Sequence, residues 1–345
     1  MHHPRLRALA SVALTLVLSA CGSSADGNGP AATGGSDTGA SAAFPVTIEN
    51  TFGDVTIESR PDRVAAVSWA NHEVPLALGV VPVGMSKATW GDDDNDGVLP
   101  WVEERLDELD AETPVLFDET EGIDFEAVAD TRPDVILASY SGLTEREYDT
   151  LSKIAPVVSF PELAWGTTMW EMVERNSTAL GLADEGERLT ADLRKQVSEA
   201  VEERPALKGK SAMFAYLDPN DLSQVGFYST HDSRVGFLEE AGLASPPVVT
   251  EASSRSDEFY LTTSAEENDR LADVDIFVTY GSENLLSQVQ KDPLMAQIPA
   301  VKRGSVALLE DSTPLAAAAN PTPLSIPWGV DDYLDVVEDA AAKAG

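Results

Sequence analysis

The sequence predicts an α/β protein made of two similar lobes joined by one long helix. The chain has 345 residues, 43% of them hydrophobic, which is enough for two buried cores. Segments typical of strands and of helices alternate in both halves, the pattern of parallel sheets covered by helices. Between the halves, residues 184–204 form a long amphipathic stretch. Together these observations predict two Rossmann-like lobes joined by a single long α-helix.

Residues 1–20 have the features of a secretion signal. Arg5 and Arg7 provide positive charge, and the apolar run that follows has 13 residues, fewer than the ~20 that span a bilayer. The residues Leu-Ser-Ala-Cys at 18–21 resemble the lipobox of bacterial lipoproteins, which implies cleavage before Cys21 and a lipid on its thiol. The alternative is an ordinary secretion signal followed by a spare thiol.

Residues 21–43 contain small and polar side chains, with no Leu, Ile, Val or aromatic residue. Such a composition cannot bury a core, so it predicts a disordered tether. With a lipid on Cys21, the tether would hold the protein at the outer face of the cell membrane. Because Cys21 is the only cysteine, the chain can form neither an intramolecular disulfide nor a thiolate metal site.

The formal net charge of −36 limits the choice of partners. So acidic a chain is poorly suited to nucleic acid or to anionic lipid headgroups, and it favours a neutral or cationic ligand or a basic protein surface. The charge is equally consistent with an adaptation that keeps the protein soluble. After residue 20 the only histidines are His72 and His231, fewer than zinc or manganese carriers usually need.

Residues 44–165 are predicted to form the first lobe. Two short alternating runs around Gly53 indicate a β-hairpin, and the later strands are continuous apolar runs, as in a sheet covered on both faces. These later strands are predicted at 63–68, 81–85, 134–139 and 157–160. Helices are predicted up to Gly79 and at 124–131 and 145–154.

Residues 166–206 are predicted to be a helical linker, in which a first helix precedes the long one. In the long helix, apolar side chains recur every four residues from Leu189 to Val201 and form one stripe on a polar surface. Asp184 is predicted to cap the start and Pro205 to end the helix, which gives a rod of roughly 30 Å.

Residues 207–345 are predicted to form the second lobe. Its strands are predicted at 211–216, 275–279 and 305–309, and its helices at 233–241, 265–272 and 330–343. Segments 126–139 and 266–280 follow one plan: an acidic helix start, a short helix, an aspartate and a buried strand. This approximate repeat supports two lobes of similar fold.

The sequence predicts binding rather than catalysis. The phosphate-binding motif G-x-G-x-x-G and the P-loop are absent, as is the G-x-S-x-G motif of serine hydrolases. The carboxylates show no catalytic spacing. A lipid-anchored hydrolase with two lobes is the alternative from another functional class, and the missing nucleophile motif argues against it.

One metal-binding motif is present. Residues 92–97 read Asp-Asp-Asp-Asn-Asp-Gly, and Glu103 follows at the spacing of the calcium loop D-x-[DN]-x-[DN]-G-x5-E. Its oxygen ligands would be Asp92, Asp94, Asp96 and Glu103. A solvated acidic loop is the competing interpretation, because a strand rather than a helix is predicted before the motif.

Aromatic side chains occur at or just after the predicted ends of strands in both lobes. That end of an open α/β sheet is where ligands bind, whereas loops more often carry small polar residues. Arg234 is an uncommon cation in this acidic chain, suited to hold ligand oxygens or to pair with an acidic neighbour. The predicted ligand-binding residues are Trp69, Trp90, Tyr140, Trp165, Tyr216, Phe227, Tyr228, Arg234 and Tyr280. For each aromatic residue, packing beneath its own loop is the alternative.

Several short segments carry a family resemblance. They are Arg-Pro-Asp-Arg-Val at 60–64, Arg-Pro-Asp-Val-Ile-Leu at 132–137, Leu-Ser-Lys-Ile-Ala-Pro at 151–156, Asp-Pro-Leu at 292–294 and Ile-Pro-Ala-Val at 298–301. With them the chain resembles the iron-siderophore and cobalamin solute-binding proteins of ABC importers. The segments Ser-Arg-Val-Gly-Phe-Leu at 233–238 and Pro-Leu-Ser-Ile-Pro-Trp at 323–328 resemble the siderophore branch.

The resemblance covers about residues 45–340 and implies a helical-backbone solute-binding protein that clamps its ligand between lobes with little hinge motion. It also implies one glutamate on each lobe that meets arginines of an ABC permease. By local pattern these are Glu126 and Glu266, with Glu267 as a near rival. The implied ligand is a ferric siderophore, expected to be a hydroxamate, bound without a cofactor by a monomeric protein of a Gram-positive-type envelope.

Two alternatives for the ligand stay open. Haem or cobalamin would use His72 or His231 as an axial ligand. Ferric ion would instead bind directly to Tyr140, Tyr216 and Tyr280 without a siderophore.

Overall fold

The computed structural model describes residues 44–345. The secretion signal, Cys21 and the tether predicted for residues 1–43 lie outside the described residues. The predicted hairpin is present, and β1 (Val46–Ile48) pairs antiparallel with β2 (Val55–Ile57). Gly53 connects them at φ 108°, a conformation that favours glycine.

The first lobe is organised around a five-stranded parallel sheet. Its strands are β3 (Val64–Ala66), β4 (Gly84–Ser86), β5 (Val115–Phe117), β6 (Val135–Ala138) and β7 (Val157–Ser159). Their order across the sheet is β5-β4-β3-β6-β7, so the direction of winding reverses between β3 and β6. β3, β6 and β7 are buried along their whole length, as expected for strands covered on both faces.

Short helices accompany this sheet. They are α1 (Glu73–Ala77), α2 (Pro100–Glu108), α3 (Phe125–Asp130) and α4 (Glu145–Leu151). The sequence does not predict β5, because it lies at a sheet edge and only Phe117 of its residues is buried. It also does not predict α2, although Pro100 at its first position is a favoured helix start. The strand predicted at 81–85 begins only at Gly84, after Pro82, which has no N–H for the ladder.

Two helices connect the lobes, α5 (Met169–Ala179) and the predicted long helix α6 (Ala183–Glu202). Leu193, Val197 and Ala200 are buried on the face of α6 that packs against α5 and the C-terminal helix α12 (Ser325–Ala341). The predicted cap by Asp184 is wrong. Leu182 precedes the helix without a side-chain cap, and Asp184 lies in the first turn, where the helix dipole favours a carboxylate.

The second lobe contains a five-stranded mixed sheet. Its strands are β8 (Ala212–Tyr216), β9 (Gln224–Tyr228), β10 (Tyr260–Ser264), β11 (Ile276–Gly281) and β12 (Val306–Glu310). Their order is β10-β9-β8-β11-β12, and β9 runs against both of its neighbours. Residues 217–223 link β8 to β9, too few for the crossover that a parallel pair needs, so β9 must return antiparallel.

The helices of the second lobe are mostly short. They are α7 (Ser233–Glu240), α8 (Pro247–Ser253), α9 (Leu285–Val289), α10 (Pro299–Arg303), α11 (Pro314–Ala318) and α12. The segment predicted as a helix at 265–272 is a 3₁₀ helix, Ala265–Leu271, interrupted by non-helical backbone at Glu267. Among residues 44–345, no helix combines the length and apolar character needed to cross a membrane.

The lobes are held together by a second junction besides α6. Ala317 of α11, Leu324 and Trp328 of the second lobe join a core cluster of the first lobe that includes Leu99 and Trp101. The rings of Trp101 and Trp328 lie 5.1 Å apart between centroids. A shared core of this kind leaves little freedom for one lobe to rotate against the other.

A buried carboxylate lies in this junction. Glu73 of α1 is fully buried and accepts hydrogen bonds from the Trp101 indole N–H at 2.9 Å, from the Thr322 hydroxyl and from the Leu324 N–H at 3.3 Å. Burial raises the pKa of Glu73 to about 7, against the opposing effect of these three donors. Glu73 therefore links the first helix of one lobe to the approach to the last helix of the other.

Candidate functional site

Apart from the antiparallel β9, the strands of the two five-stranded sheets have their carboxyl ends at a common cleft. In each lobe the direction of winding reverses at the centre of the sheet, between β3 and β6 and between β8 and β11. Such reversal points are the usual ligand positions of open α/β sheets. Trp69 and Tyr140 follow β3 and β6, while Tyr216 and Tyr280 lie at the ends of β8 and β11.

Contacts between the lobes bring several predicted residues together. The Trp90 ring packs edge-on against Tyr280 at 5.1 Å, and its Nε1 donates to Asp311 Oδ1 at 3.3 Å. Across the same cleft, Asn320 Nδ2 donates to the Tyr140 hydroxyl at 3.3 Å. The first-lobe aromatic residues therefore touch the second lobe directly.

The wall formed by the first lobe contains an open hollow of about 320 Å³. It is lined by Ser68, Trp69, Ser86, Lys87, Thr89, Glu119, Thr120, Gly122, Ile123, Gly142, Leu143, Glu147 and Trp165. Trp165 lies against Gly142, where a Cβ would come within 2.2 Å of the indole nitrogen, so only glycine fits. The Trp165 ring in turn packs edge-on against Tyr140 at 5.3 Å.

The backbone around this hollow has unusual conformations. Ser68 and Ala70, on either side of Trp69, have φ of 62°, and Trp165 has φ of 59°. Positive φ is uncommon outside glycine, and such residues concentrate at functional sites because the surrounding structure must hold them there. The two tryptophans are thus presented by constrained rather than relaxed backbone.

Glu119 supplies a carboxylate to the hollow. The Ser68 N–H donates to its Oε2 at 2.9 Å and to its Oε1 at 3.2 Å, and Ser86 Oγ donates to Oε2 at 3.1 Å. Burial raises the pKa of Glu119 to about 7, against these donors and with a further contribution from the Glu147 carboxylate. The sequence does not predict Glu119 as a site residue, because it follows β5, a strand that was not predicted.

The wall formed by the second lobe is built around an ion pair. Arg234 Nε donates to Asp232 Oδ1 at 2.8 Å and Nη2 to Oδ2 at 2.7 Å, and the guanidinium lies 3.8 Å from the centre of the Tyr228 ring. The Asp232 side chain has no exposed area and that of Arg234 is 14% exposed. Although burial disfavours its charge, the Asp232 carboxylate holds the pKa of Arg234 above its usual range.

Tyrosines surround this ion pair. Tyr228 packs edge-on against Tyr260 at 5.5 Å, and Tyr216 beside them is 45% exposed. Tyr280 is buried, and its hydroxyl lies close to the Arg234 guanidinium. Burial raises the pKa of both Tyr140 and Tyr280. Tyr260 is missed from the sequence together with its strand, β10.

Phe227 does not belong to the cleft, which corrects the prediction. It is 1% exposed and packs in the cluster of Met213, Val225 and Phe277 on the other face of the sheet. Neighbouring residues of a strand point to opposite faces, so Tyr228 faces the cleft and Phe227 faces the core.

Neither histidine is placed to act as an axial ligand to haem or cobalamin in the cleft. His72 is buried beneath Trp69 beside a cavity of only about 20 Å³, and burial lowers the pKa of His72 to about 4. The His231 Nε2 lies 3.3 Å from the Ser253 carbonyl and 3.2 Å from that of Ser256, within its own lobe.

The acidic loop gathers three of its four predicted calcium ligands. Oxygens of Asp92, Asp94 and Asp96 lie within 4.8 Å of one another, whereas Glu103 of α2 is not part of this group. Asp92 accepts from the N–H groups of Asn95 and Gly97, both at 2.8 Å, which shapes the loop with or without a cation. Calcium binding therefore stays a prediction, with three candidate ligands.

The predicted docking residues lie on exposed surface. Glu126 is in the first turn of α3, and Glu266 is in the first turn of the 3₁₀ helix after β10. Glu267 accepts from Arg270 at 2.8 Å and from the Thr263 hydroxyl at 3.2 Å. Because Glu267 is engaged, Glu266 is the better candidate for an external partner.

Known proteins match nearly the whole of this chain. The crystal structure of Streptococcus pneumoniae TIGR4 PiaA in complex with ferrichrome is 41% identical, covers 87% of this chain and 99% of that chain, and superposes with a TM-score of 0.84. The probable siderophore-binding lipoprotein YfiY of Bacillus subtilis (strain 168) is 27% identical over 315 residues, 86% of this chain and 87% of the relative. A periplasmic solute-binding protein from Mycobacterium smegmatis, 24% identical with a TM-score of 0.70 over 86% and 99% of the chains, shares the fold.

The profile of the periplasmic binding protein family matches residues 64–313, from the first strand of one sheet to beyond the last strand of the other. On that match and the similarity to PiaA, this chain belongs to the periplasmic binding protein family.

Proposed function

We propose that this chain captures a ferric siderophore of the hydroxamate type between its two lobes. The observation that carries the proposal is the similarity to PiaA, solved with ferrichrome, at 41% identity over 87% of this chain. The local geometry supports it, because rigid aromatic rings and Arg234 line the ends of both sheets. Aromatic rings offer apolar contact to a bulky complex, and a guanidinium offers N–H donors to its oxygens.

Charge favours a hydroxamate over a catecholate. Three singly charged hydroxamates neutralise one ferric ion, whereas three catecholates leave a complex of charge −3. The chain carries −36, and Glu119 and Glu147 line the hollow itself, so an anionic complex would be repelled. Arg234 does not offset this repulsion, because Asp232 already neutralises it.

Arg234 still has a donor to offer. Its Nε and Nη2 groups are used by Asp232, whereas its Nη1 is not bonded to that carboxylate. Held by the ion pair and by the Tyr228 ring, the guanidinium is fixed in orientation before a ligand arrives. Such preorganisation lowers the entropy cost of binding.

The alternative ligands fit less well. Haem or cobalamin would need an axial histidine, but His72 is buried beside a cavity of only about 20 Å³, and the His231 Nε2 lies at hydrogen-bond distance from two backbone carbonyls. Direct ferric binding would need tyrosinates, yet burial raises the pKa of Tyr140 and Tyr280 and so favours the neutral phenol. A catalytic role is likewise not proposed, since the family is one of binding proteins.

Tryptophan fluorescence tests the ligand. Three of the six tryptophans, Trp69, Trp90 and Trp165, lie in the cleft, so ferrichrome should quench emission saturably. Iron-free ferrichrome is the matched control, and a ferric tris-catecholate, haem and cobalamin complete the panel. Saturable quenching by haem or cobalamin, without any by ferrichrome, would reject the proposal.

We propose further that the loaded protein docks on an ABC permease through Glu126 and Glu266. Replacing both by arginine should leave ligand affinity and unfolding unchanged, because both side chains are exposed, but it should abolish uptake of ferrichrome iron by cells. The control replaces Glu104 and Glu202, two exposed glutamates elsewhere on the chain, and should leave uptake normal. Normal uptake in the first variant would exclude the docking role, and so would uptake lost only in proportion to affinity.

Delivery from outside the cell requires attachment to the membrane, and we propose that a lipid on Cys21 provides it. The motif at residues 18–21 supports this, as does the lipoprotein named as a relative. Cys21→Ala should move the protein from the membrane fraction to the medium while ferrichrome binding persists. Retention of the variant in the membrane fraction would contradict lipid anchoring.

A further inference from the structure

We propose that the hollow on the first lobe receives a positively charged ammonium arm of the bound siderophore, with Glu119 as the carboxylate that pairs with it. The inference rests on the proposed function and adds a preference among hydroxamate siderophores. Those with a free primary amine should bind more tightly than those in which the amine is neutralised.

The Glu119 carboxylate is held in place without a cationic partner. Its three hydrogen bonds come from the neutral Ser68 N–H and Ser86 hydroxyl. No salt bridge joins it to a lysine, arginine or histidine among residues 44–345. Oε1 accepts only one bond, at 3.2 Å, so it keeps acceptor capacity for a ligand.

The lining of the hollow is acidic and aromatic. Glu147 supplies a second carboxylate, and only its Oε2 is used to cap α4. Lys87 is the one cation among the lining residues and is not ion-paired with either glutamate, so two carboxylates and one ammonium leave a net charge of −1. The indole rings of Trp69 and Trp165 complete the wall, and the faces of such rings attract cations.

The same wall contains a buried donor, and its hollow is small. The Trp69 indole nitrogen is buried, yet it has no hydrogen-bond acceptor among the described residues. A volume of about 320 Å³ lies at the lower end of small-molecule sites, which suits one arm rather than a whole complex.

The chemistry of the pair is that of a charge-assisted hydrogen bond. Because burial raises the pKa of Glu119 to about 7, the carboxylate is largely ionised at pH 8, where a primary ammonium is still charged. An ammonium that enters the hollow would donate to a carboxylate that has no other cation. An acetylated amine would donate only as a neutral amide, a weaker partner.

The test compares two ligands that differ at one group. The affinities of a linear ferric trihydroxamate with one free primary ammonium, and of its N-acetyl derivative, are measured at pH 8 by fluorescence quenching. We expect the ammonium form to bind about tenfold more tightly, as one buried charge-assisted bond allows. Glu119→Gln should reduce this ratio to about one by weakening the ammonium form alone. Glu121→Gln, an exposed residue of the same loop outside the hollow, should leave the ratio unchanged.

Each outcome decides the inference. Equal affinity of the unmodified protein for both ligands would overturn it, and this comparison needs no variant. A preference that survives Glu119→Gln, in a variant that binds ferrichrome normally, would also overturn it, since another group would then hold the ammonium. If the chain binds ferrichrome but not the ammonium arm, the proposed function stands and only the subsite is lost. If it binds no ferric hydroxamate, the proposed function fails and the subsite with it.

Discussion

Each wall of the cleft contains a charged side chain, but only the charge of the second lobe is neutralised by an ion pair. In the second lobe, Arg234 is neutralised by Asp232 at 2.7 Å and covered by the Tyr228 ring. In the first lobe, Glu119 has only neutral donors and faces an open hollow of about 320 Å³. A guanidinium that is already ion-paired is held rigidly and offers hydrogen bonds to a ligand without a net electrostatic attraction for it. An unpaired carboxylate instead favours a cationic ligand.

The difference between the two walls follows from the strand directions in the two sheets. The second lobe adds the antiparallel strand β9 and its neighbour β10 beside β8, and these bring Tyr228 and Tyr260 to the cleft. The five-stranded sheet of the first lobe has only parallel strands, so its cleft surface consists of loops and strand ends such as those that carry Trp69 and Glu119. Loops leave space between side chains more readily than a packed strand edge does.

Breaking the ion pair should have the largest effect. Arg234→Ala leaves the fully buried Asp232 carboxylate without a cationic partner, which should lower the free energy of unfolding by about 3–5 kcal/mol. The combined change Asp232→Asn with Arg234→Met removes both charges and should cost much less. Urea unfolding of the two variants makes the comparison. If Arg234→Ala is no less stable than the double variant, the ion pair between Asp232 and Arg234 does not stabilise the second lobe.

Glu73 offers a contrast to Glu119, because it is fully buried and accepts hydrogen bonds from donors of both lobes. Its pKa is raised from 4.5 to about 7, so the folded state holds a proton that the unfolded state has lost. Stability from this group is therefore present below pH 4.5 and lost as pH rises to about 7, at most roughly 3 kcal/mol. Glu73→Gln should remove that loss.

The measurement is urea unfolding at pH 5 and pH 8. The difference in unfolding free energy between the two pH values should change in Glu73→Gln but not in Glu104→Gln, an exposed control in the first lobe. An unaltered difference in the Glu73 variant would mean that its carboxylate titrates as in the unfolded chain.

Truncating one aromatic residue in each wall shows how much each wall contributes to ligand affinity. Trp69→Ala and Tyr216→Ala should each weaken ferrichrome binding by about tenfold, as truncation of an aromatic anchor typically does. Trp69 packs against two core clusters, so its variant should also melt at a lower temperature, whereas Tyr216 is 45% exposed and its loss should hardly affect folding. Unchanged affinity in both variants would place the ligand elsewhere.

The acidic loop beside the first wall should give the smallest effect. If Asp92, Asp94 and Asp96 bind calcium, a concentration ten times the Kd stabilises the fold by about 1.4 kcal/mol, or a few degrees in melting temperature. Asp92→Asn with Asp96→Asn should abolish the shift, while Glu103→Gln, outside the cluster, should keep it. An equal shift with magnesium would indicate general screening of negative charge instead.

The long helix could be predicted because its signal is local. The stripe that contains Leu193 and Val197 is read from neighbouring turns of one segment, and that face is buried in the fold. The position of its first residue could not be predicted in the same way. Asp184 is a good capping residue, but the helix begins before it, since the packing of α5 on α6 fixes where the chain turns.

Phe227 and Tyr228 show how far the ligand-binding residues can be predicted from the sequence. Both are aromatic residues of one strand, and sequence reasoning treats them alike. Their faces differ because strand neighbours alternate, and which face meets the cleft depends on the pairing of β9 with β8 and β10. The sequence did not predict β9 or β10, so it could not separate a ligand contact from a core residue.

By itself, the sequence determined the two covered sheets, the helical linker and the aromatic strand ends, because apolar periodicity and composition belong to neighbouring residues. Only the tertiary structure decided the partners of the buried charges. Ser68 donates to Glu119 across 51 positions and Thr322 to Glu73 across 249, distances in sequence at which no local pattern operates. The tertiary packing encloses Glu73 with donors from both lobes and leaves Glu119 facing a hollow. It therefore makes one carboxylate part of the junction between the lobes and the other part of the candidate subsite.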